Sequence, residues 1–149
     1  MKSKKHSFKI EKIKTELKME KSKRYQQGME IIGRYEDKSE NPSYSITFDS
    51  LMDLDSELEN YIVEFAFGDI YSREGLSDKE KTLLTISSLV TQGLEPQLTL
   101  HVNTGLTVGI TPKEIVGAII HLLPYTGFPR VLNALKVAKE VFTKRGVSV

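Results

Sequence analysis

Apolar positions along the chain recur at three- and four-residue spacing, the pattern of helices that turn one face to a core. Residues 8–33 set Phe8, Ile10, Ile13, Leu17, Met29, Ile31 and Ile32 in a loose helical pattern that stops near Gly33. Gly28 interrupts it, and the part before Lys21 is polar enough to be an appendage. Residues 37–50, DKSENPSYSITFDS, are crowded with Ser, Asn, Asp and Pro and read as a loop. A second helix starts near Asp53–Asp55 and runs through Leu58, Tyr61, Ile62, Phe65 and Ala66 to Gly68.

The following helices begin on local start signals. Ser77-Asp-Lys-Glu80 is a capping box that launches Leu83, Leu84, Ile86, Leu89 and Val90, and Gly93 supplies a left-handed stop. A fourth helix opens at Pro96 and closes before Gly109. Thr111-Pro-Lys-Glu114 is a second capping box, leading into Ile115, Ile119, Ile120, Leu122 and Leu123 until Pro124 bends or ends the helix and frees the carbonyl of Ile120. A last helix carries Val131, Leu132, Leu135, Val137, Ala138, Val141 and Phe142 and ends at Gly146. No stretch sustains period-two alternation, so the expected class is all-α, a compact bundle of about six helices. Gly105 and Gly117 lie inside helices, where glycine costs about 1 kcal/mol relative to alanine, and predict close helix–helix contact. Wide apolar faces on short helices point to subunit association.

Composition narrows the chemistry. A chain of 149 residues, 39% hydrophobic and 28% charged, suits one soluble domain with its own core. Cysteine is absent, which removes disulfides, thiolate nucleophiles, iron–sulfur clusters and cysteine-ligated zinc together. A three-histidine metal site would need His6, His101 and His121 at once, so no metal is expected. The net charge of +1 conceals an asymmetry: residues 1–24 hold ten Lys/Arg against three Asp/Glu, and the remainder is acidic by six. The chain therefore divides into a basic N-terminal extension, 1–23, and a helical domain, 24–149. The extension reads as solvated; it lacks the interleaved aromatics of a single-strand binder, and no nucleic-acid partner is expected. No signal peptide or apolar span of membrane length appears, which leaves a cytoplasmic protein with no membrane contact as the expectation.

His101 is the first candidate for chemistry. It lies mid-helix with Gln97 one turn before it on the same face and Gly105 one turn after, where a missing side chain either opens a hollow or admits another helix. Imidazole titrates near neutrality and suits proton transfer; beside Leu98, Leu100 and Val102 it equally suits a hydrogen-bonded core position. His121 and Tyr125 form a second pair four residues apart across the Pro124 bend. Arg73 sits between two helices, where a guanidinium either grips a substrate carboxylate or bonds a helix end. Phosphate-loop glycines, GxSxG and HExxH are all missing. What remains suits cofactor-free proton transfer, with a base and donors around an enolate-like charge.

Read in order, several pieces resemble the carboxymuconolactone decarboxylase family. They are RYQQGMEII at 24–32, Phe67-Gly-Asp-Ile, Glu95-Pro-Gln-Leu with His101 following, Gly109-x-Thr-x-x-Glu-Ile115 and Pro124-Tyr-Thr-Gly-Phe-Pro129, and the resemblance covers about 24–143. It implies an alkylhydroperoxidase D-like helical fold assembling as a homo-oligomer, often a trimer or hexamer. One branch of the family decarboxylates 4-carboxymuconolactone in aromatic-compound catabolism. Another is a peroxidase whose two cysteines stand at the positions of Leu94 and Gln97, a chemistry this cysteine-free chain lacks. The lactone decarboxylases tend to carry Glu where Gln97 stands. With the resemblance, the expected roles are His101 as catalytic acid/base and Tyr125 and His121 as substrate-binding residues, joined by Gln97 and Arg73 on their positions in the sequence, with no cofactor and a small carboxylate or lactone as substrate. The alternative from another class is a non-catalytic small-acid-binding or assembly protein of the same fold.

Overall fold

The computed structural model of the chain describes residues 21–37, 44 and 50–149, and among them every regular element is helical, with no strand. The expected all-α class is the observed one. Along the chain come α1 (Lys23–Tyr35), a single-turn α2 (Leu58–Asn60) that runs directly into a π-helix (Tyr61–Tyr71), α3 (Asp78–Gln92) and α4 (Glu95–Thr107). Then follow α5 (Pro112–His121), a four-residue α6 (Leu123–Thr126) and α7 (Phe128–Arg145). Most of the basic extension and of the predicted 37–50 loop, namely 1–20, 38–43 and 45–49, lies outside the described residues.

The helices share two apolar clusters. In the larger one, α3, α4, α5 and α7 close over Ile86, Val102, Ile115 and Ile119, none of which has measurable exposure. Burying side chains of this size stabilises by about 1.5–3 kcal/mol each. In the smaller one, α1 and the π-helix bury Tyr25, Ile31, Ile32, Tyr35, Val63 and Phe67, with Tyr44 among them.

Both capping boxes form. The Ser77 amide donates to the Glu80 carboxylate at 2.7 Å and the Glu80 amide returns to Ser77 Oγ at 3.3 Å. The Thr111–Glu114 pair repeats this at 2.7 and 3.2 Å. Those hydrogen bonds hold both carboxyls below their ordinary range. Gly93 and Gly146 take the left-handed conformation as the stops of α3 and α7, with φ of 76° and 63°.

Three expectations need correction. α1 does not end near Gly33 and is not broken at Gly28; it continues to Tyr35, whose buried ring and 2.8 Å bond to Asp78 hold the last turn. Gly28 is a contact residue instead: a Cβ there would overlap the Val63 carbonyl, and one at Gly68 would overlap the Arg24 carbonyl. The second helix starts later than Asp53–Asp55 and passes Gly68 as a π-helix. Its end is held by Lys81, which donates to the Tyr71 and Arg73 carbonyls at 2.6 and 2.7 Å. Gly105 does meet a neighbour, since a Cβ would lie 3.3–3.6 Å from methyls of Ile115, Ile110 and Ile86, but Gly117 has open space beside it and marks no close contact. α5 ends at His121, short of Pro124, with the Leu122 amide donating to the Ile119 carbonyl at 3.2 Å.

Candidate functional site around His101

α4 presents His101 half-buried, with Thr104 three residues on and therefore along the same face. The partner of both comes from far upstream. Tyr44, only 5% exposed, places its hydroxyl 3.2 Å from His101 Nδ1 and accepts a bond from Thr104 Oγ1 at 3.4 Å. The Tyr44 ring stands edge-on to the imidazole, with centroids 5.7 Å apart, and edge-on to Phe67 of the π-helix at 5.1 Å. Phe67 leans on Tyr71 at 5.0 Å, and Tyr71 meets Tyr35 edge-on at 5.5 Å. These rings join the smaller cluster to α4.

Burial decides the charge state. It disfavours the imidazolium and lowers the His101 pKa from 6.5 to about 4, so the ring is neutral at pH 7. The same burial raises the Tyr44 phenol well above its ordinary value. Gly105 opens no hollow beside the imidazole; the side chains of Ile86, Ile110 and Ile115 close over it.

A second polar cluster ties the site to the end of the chain. Arg145 Nη1 in α7 binds Asp37 Oδ2 at 2.6 Å, Asn103 Oδ1 at 2.9 Å and Thr107 Oγ1 at 3.4 Å. Both ionic partners are largely buried. Asn103 and Thr107 belong to the helix that carries His101, and Asp37 begins the stretch that leads to Tyr44.

The other candidate residues are exposed. Gln97 is exposed in the first turn of α4. Arg73 is exposed after the π-helix, beside a cavity of about 320 Å³ walled by Ile70, Tyr71, Leu76, Leu84 and Thr85. His101 does not line that cavity; Tyr71 in its wall packs on Phe67, and Phe67 on Tyr44. His121 and Tyr125 are both exposed and lie together, ring centroids 5.8 Å apart. Sequence reading missed Tyr44 and Thr104. The available signals were an aromatic residue between Ser43 and Ser45 in a polar stretch, and a hydroxyl three residues after His101.

Among the described residues no group of three His, Asp or Glu side chains is placed to hold a metal ion, and no helix is long and apolar enough to cross a membrane. Comparison with known proteins adds the following. Residues 56–140 match the model of the carboxymuconolactone decarboxylase family. The chain is 32% identical over 130 residues to 4-carboxymuconolactone decarboxylase of Acinetobacter baylyi, covering 87% of this chain and 95% of that protein. It is 36% identical over 85 residues to an uncharacterized 15.0 kDa protein of Paracoccus denitrificans, covering 56% of this chain and 63% of that one. It is also 32% identical over 82 residues to nitrosuccinic acid decarboxylase of Metarhizium robertsii, covering 55% and 57%.

Proposed function

The chain belongs to the carboxymuconolactone decarboxylase family, and on that premise we propose that it is a cofactor-free decarboxylase of a small carboxylated lactone or related acid, with His101 as its acid/base group. The observation that carries this reading is the similarity to a 4-carboxymuconolactone decarboxylase along nearly the whole of that protein. The two relatives named as decarboxylases share a chemical demand. Breaking the bond to the carboxylate leaves an electron pair that an electron-withdrawing group must hold, a lactone carbonyl in one substrate and a nitro group in the other. A neutral, half-buried imidazole serves such a charge, because hydrogen bonds gain strength where water is thin.

In this reading Gln97 and Tyr125 donate hydrogen bonds to the substrate, Arg73 orients a carboxylate, and His121 binds the substrate beside Tyr125. Tyr125 is 74% exposed and Phe128 67%. That much exposed aromatic surface supports a homo-oligomer in which a second copy covers them.

Carbon dioxide release from 4-carboxymuconolactone tests the proposal, with wild type and His101→Ala compared under the same conditions. Turnover by the wild type with a 100- to 10,000-fold lower kcat in the variant is expected, about the contribution of a general acid/base. A wild type that binds the lactone without converting it favours the non-catalytic alternative. Equal rates in both proteins remove His101 from the chemistry.

A further inference from the structure

Thr104 and His101 both meet the Tyr44 hydroxyl, and the directions of those hydrogen bonds bear on which nitrogen of His101 carries its proton. Thr104 Oγ1 donates to the Tyr44 oxygen, and that oxygen lies 3.2 Å from His101 Nδ1. A hydroxyl that accepts a hydrogen bond becomes a better donor, since each bond in a chain polarises the next. Between a phenol and a neutral imidazole, the strong acceptor is the imine-type ring nitrogen and the strong donor is the phenol O–H. We propose that Tyr44 donates to Nδ1, fixes His101 as its Nε2–H tautomer, and so is the positioning residue that gives this imidazole the acid half of its acid/base role, acting from Nε2–H.

The same burial that keeps the imidazole neutral is what allows one nitrogen to remain a lone pair at pH 7. The edge-on packing of Tyr44 between Phe67 and the imidazole holds its hydroxyl at Nδ1. The catalytic consequence rests on the decarboxylase reading above. The bond between the substrate carbon and its carboxylate breaks, and its electron pair moves through that carbon onto the conjugated oxygen as carbon dioxide leaves. Nε2–H assists as the general acid, by a hydrogen bond to that oxygen in which the proton stays on nitrogen. The carbanionic carbon then takes a proton from solvent water, and the oxygen's charge is withdrawn into the re-formed double bond. His101 returns unchanged, with no proton to be restored.

Nitrogen-15 spectra of the uniformly labelled full chain at pH 7, correlating the His101 ring nitrogens with their carbon-bound protons, test this without turnover. A pyridine-type Nδ1 and a pyrrole-type Nε2 are expected in the wild type; the reverse assignment overturns the proposal. In Tyr44→Phe both resonances should move toward the average of the two tautomers, and unmoved resonances in the folded variant remove Tyr44 from the positioning role. Where Tyr44→Phe does not fold, Thr104→Val weakens the same chain of bonds from its far end. It should shift Nδ1 in the same direction by less, and no shift overturns the role. An active enzyme with a pyrrole-type Nδ1 sinks only the tautomer. An inactive protein with the expected spectrum sinks only the decarboxylase reading.

Discussion

His101 opposes the fold in acid. Its imidazole takes up a proton at about pH 4 in the folded chain and at about 6.5 when exposed on unfolding. Above 6.5 neither state binds that proton, and stability is unaffected. As pH falls from 6.5 towards 4 the unfolded chain gains a proton that the folded chain refuses, so stability falls, by up to about 3 kcal/mol across that window. Urea unfolding between pH 7 and 4.5 should show a steeper loss for wild type than for His101→Gln. Parallel curves would mean that the imidazole is already well solvated in the folded state. The residue was legible in the sequence through its place in a helix and its family position. Its environment was not, because the hydroxyl at Nδ1 belongs to a residue 57 positions away in a stretch with no periodic pattern.

At the scale of the element, helix starts were easier to read than helix ends. The Ser77 and Thr111 boxes are satisfied within four residues, so the sequence contains both partners. The π-helix ends on a lysine from α3, and α1 ends on a tyrosine held by Asp78, neither of which is local. Glycine likewise carried two meanings that spacing alone does not separate. Gly28 and Gly68 let the backbones of α1 and the π-helix touch, whereas Gly33 has open space around it. Gly28→Ala should therefore lower stability by more than about 3 kcal/mol, since the neighbour is backbone and cannot rotate away. Gly33→Ala should raise it by about 0.5–1 kcal/mol through the unfolded chain and helix propensity. Thermal unfolding of the two variants beside wild type checks both signs.

Across the whole molecule, the bundle class and the larger core followed from helical periodicity, but the joint between the two clusters did not. It is made by aromatic edges and by Arg145, whose three partners lie on two other parts of the chain. Arg145→Met keeps the length of the side chain and removes the charge that meets the largely buried Asp37 carboxylate. A loss of about 3–5 kcal/mol is expected in chemical denaturation, the usual result of removing one member of a buried pair. A loss below about 1 kcal/mol would mean that water replaces the guanidinium readily. Asp37 and Arg145 are 108 positions apart, a long closure in a chain whose other helices mostly meet their neighbours. During synthesis His101 and Tyr44 leave the ribosome well before Asp37 can meet Arg145, which emerges only when nearly the whole chain has. A nascent chain stopped ahead of Arg145 thus carries His101, Tyr44 and Thr104 but lacks the guanidinium that joins Asp37 to Asn103 and Thr107.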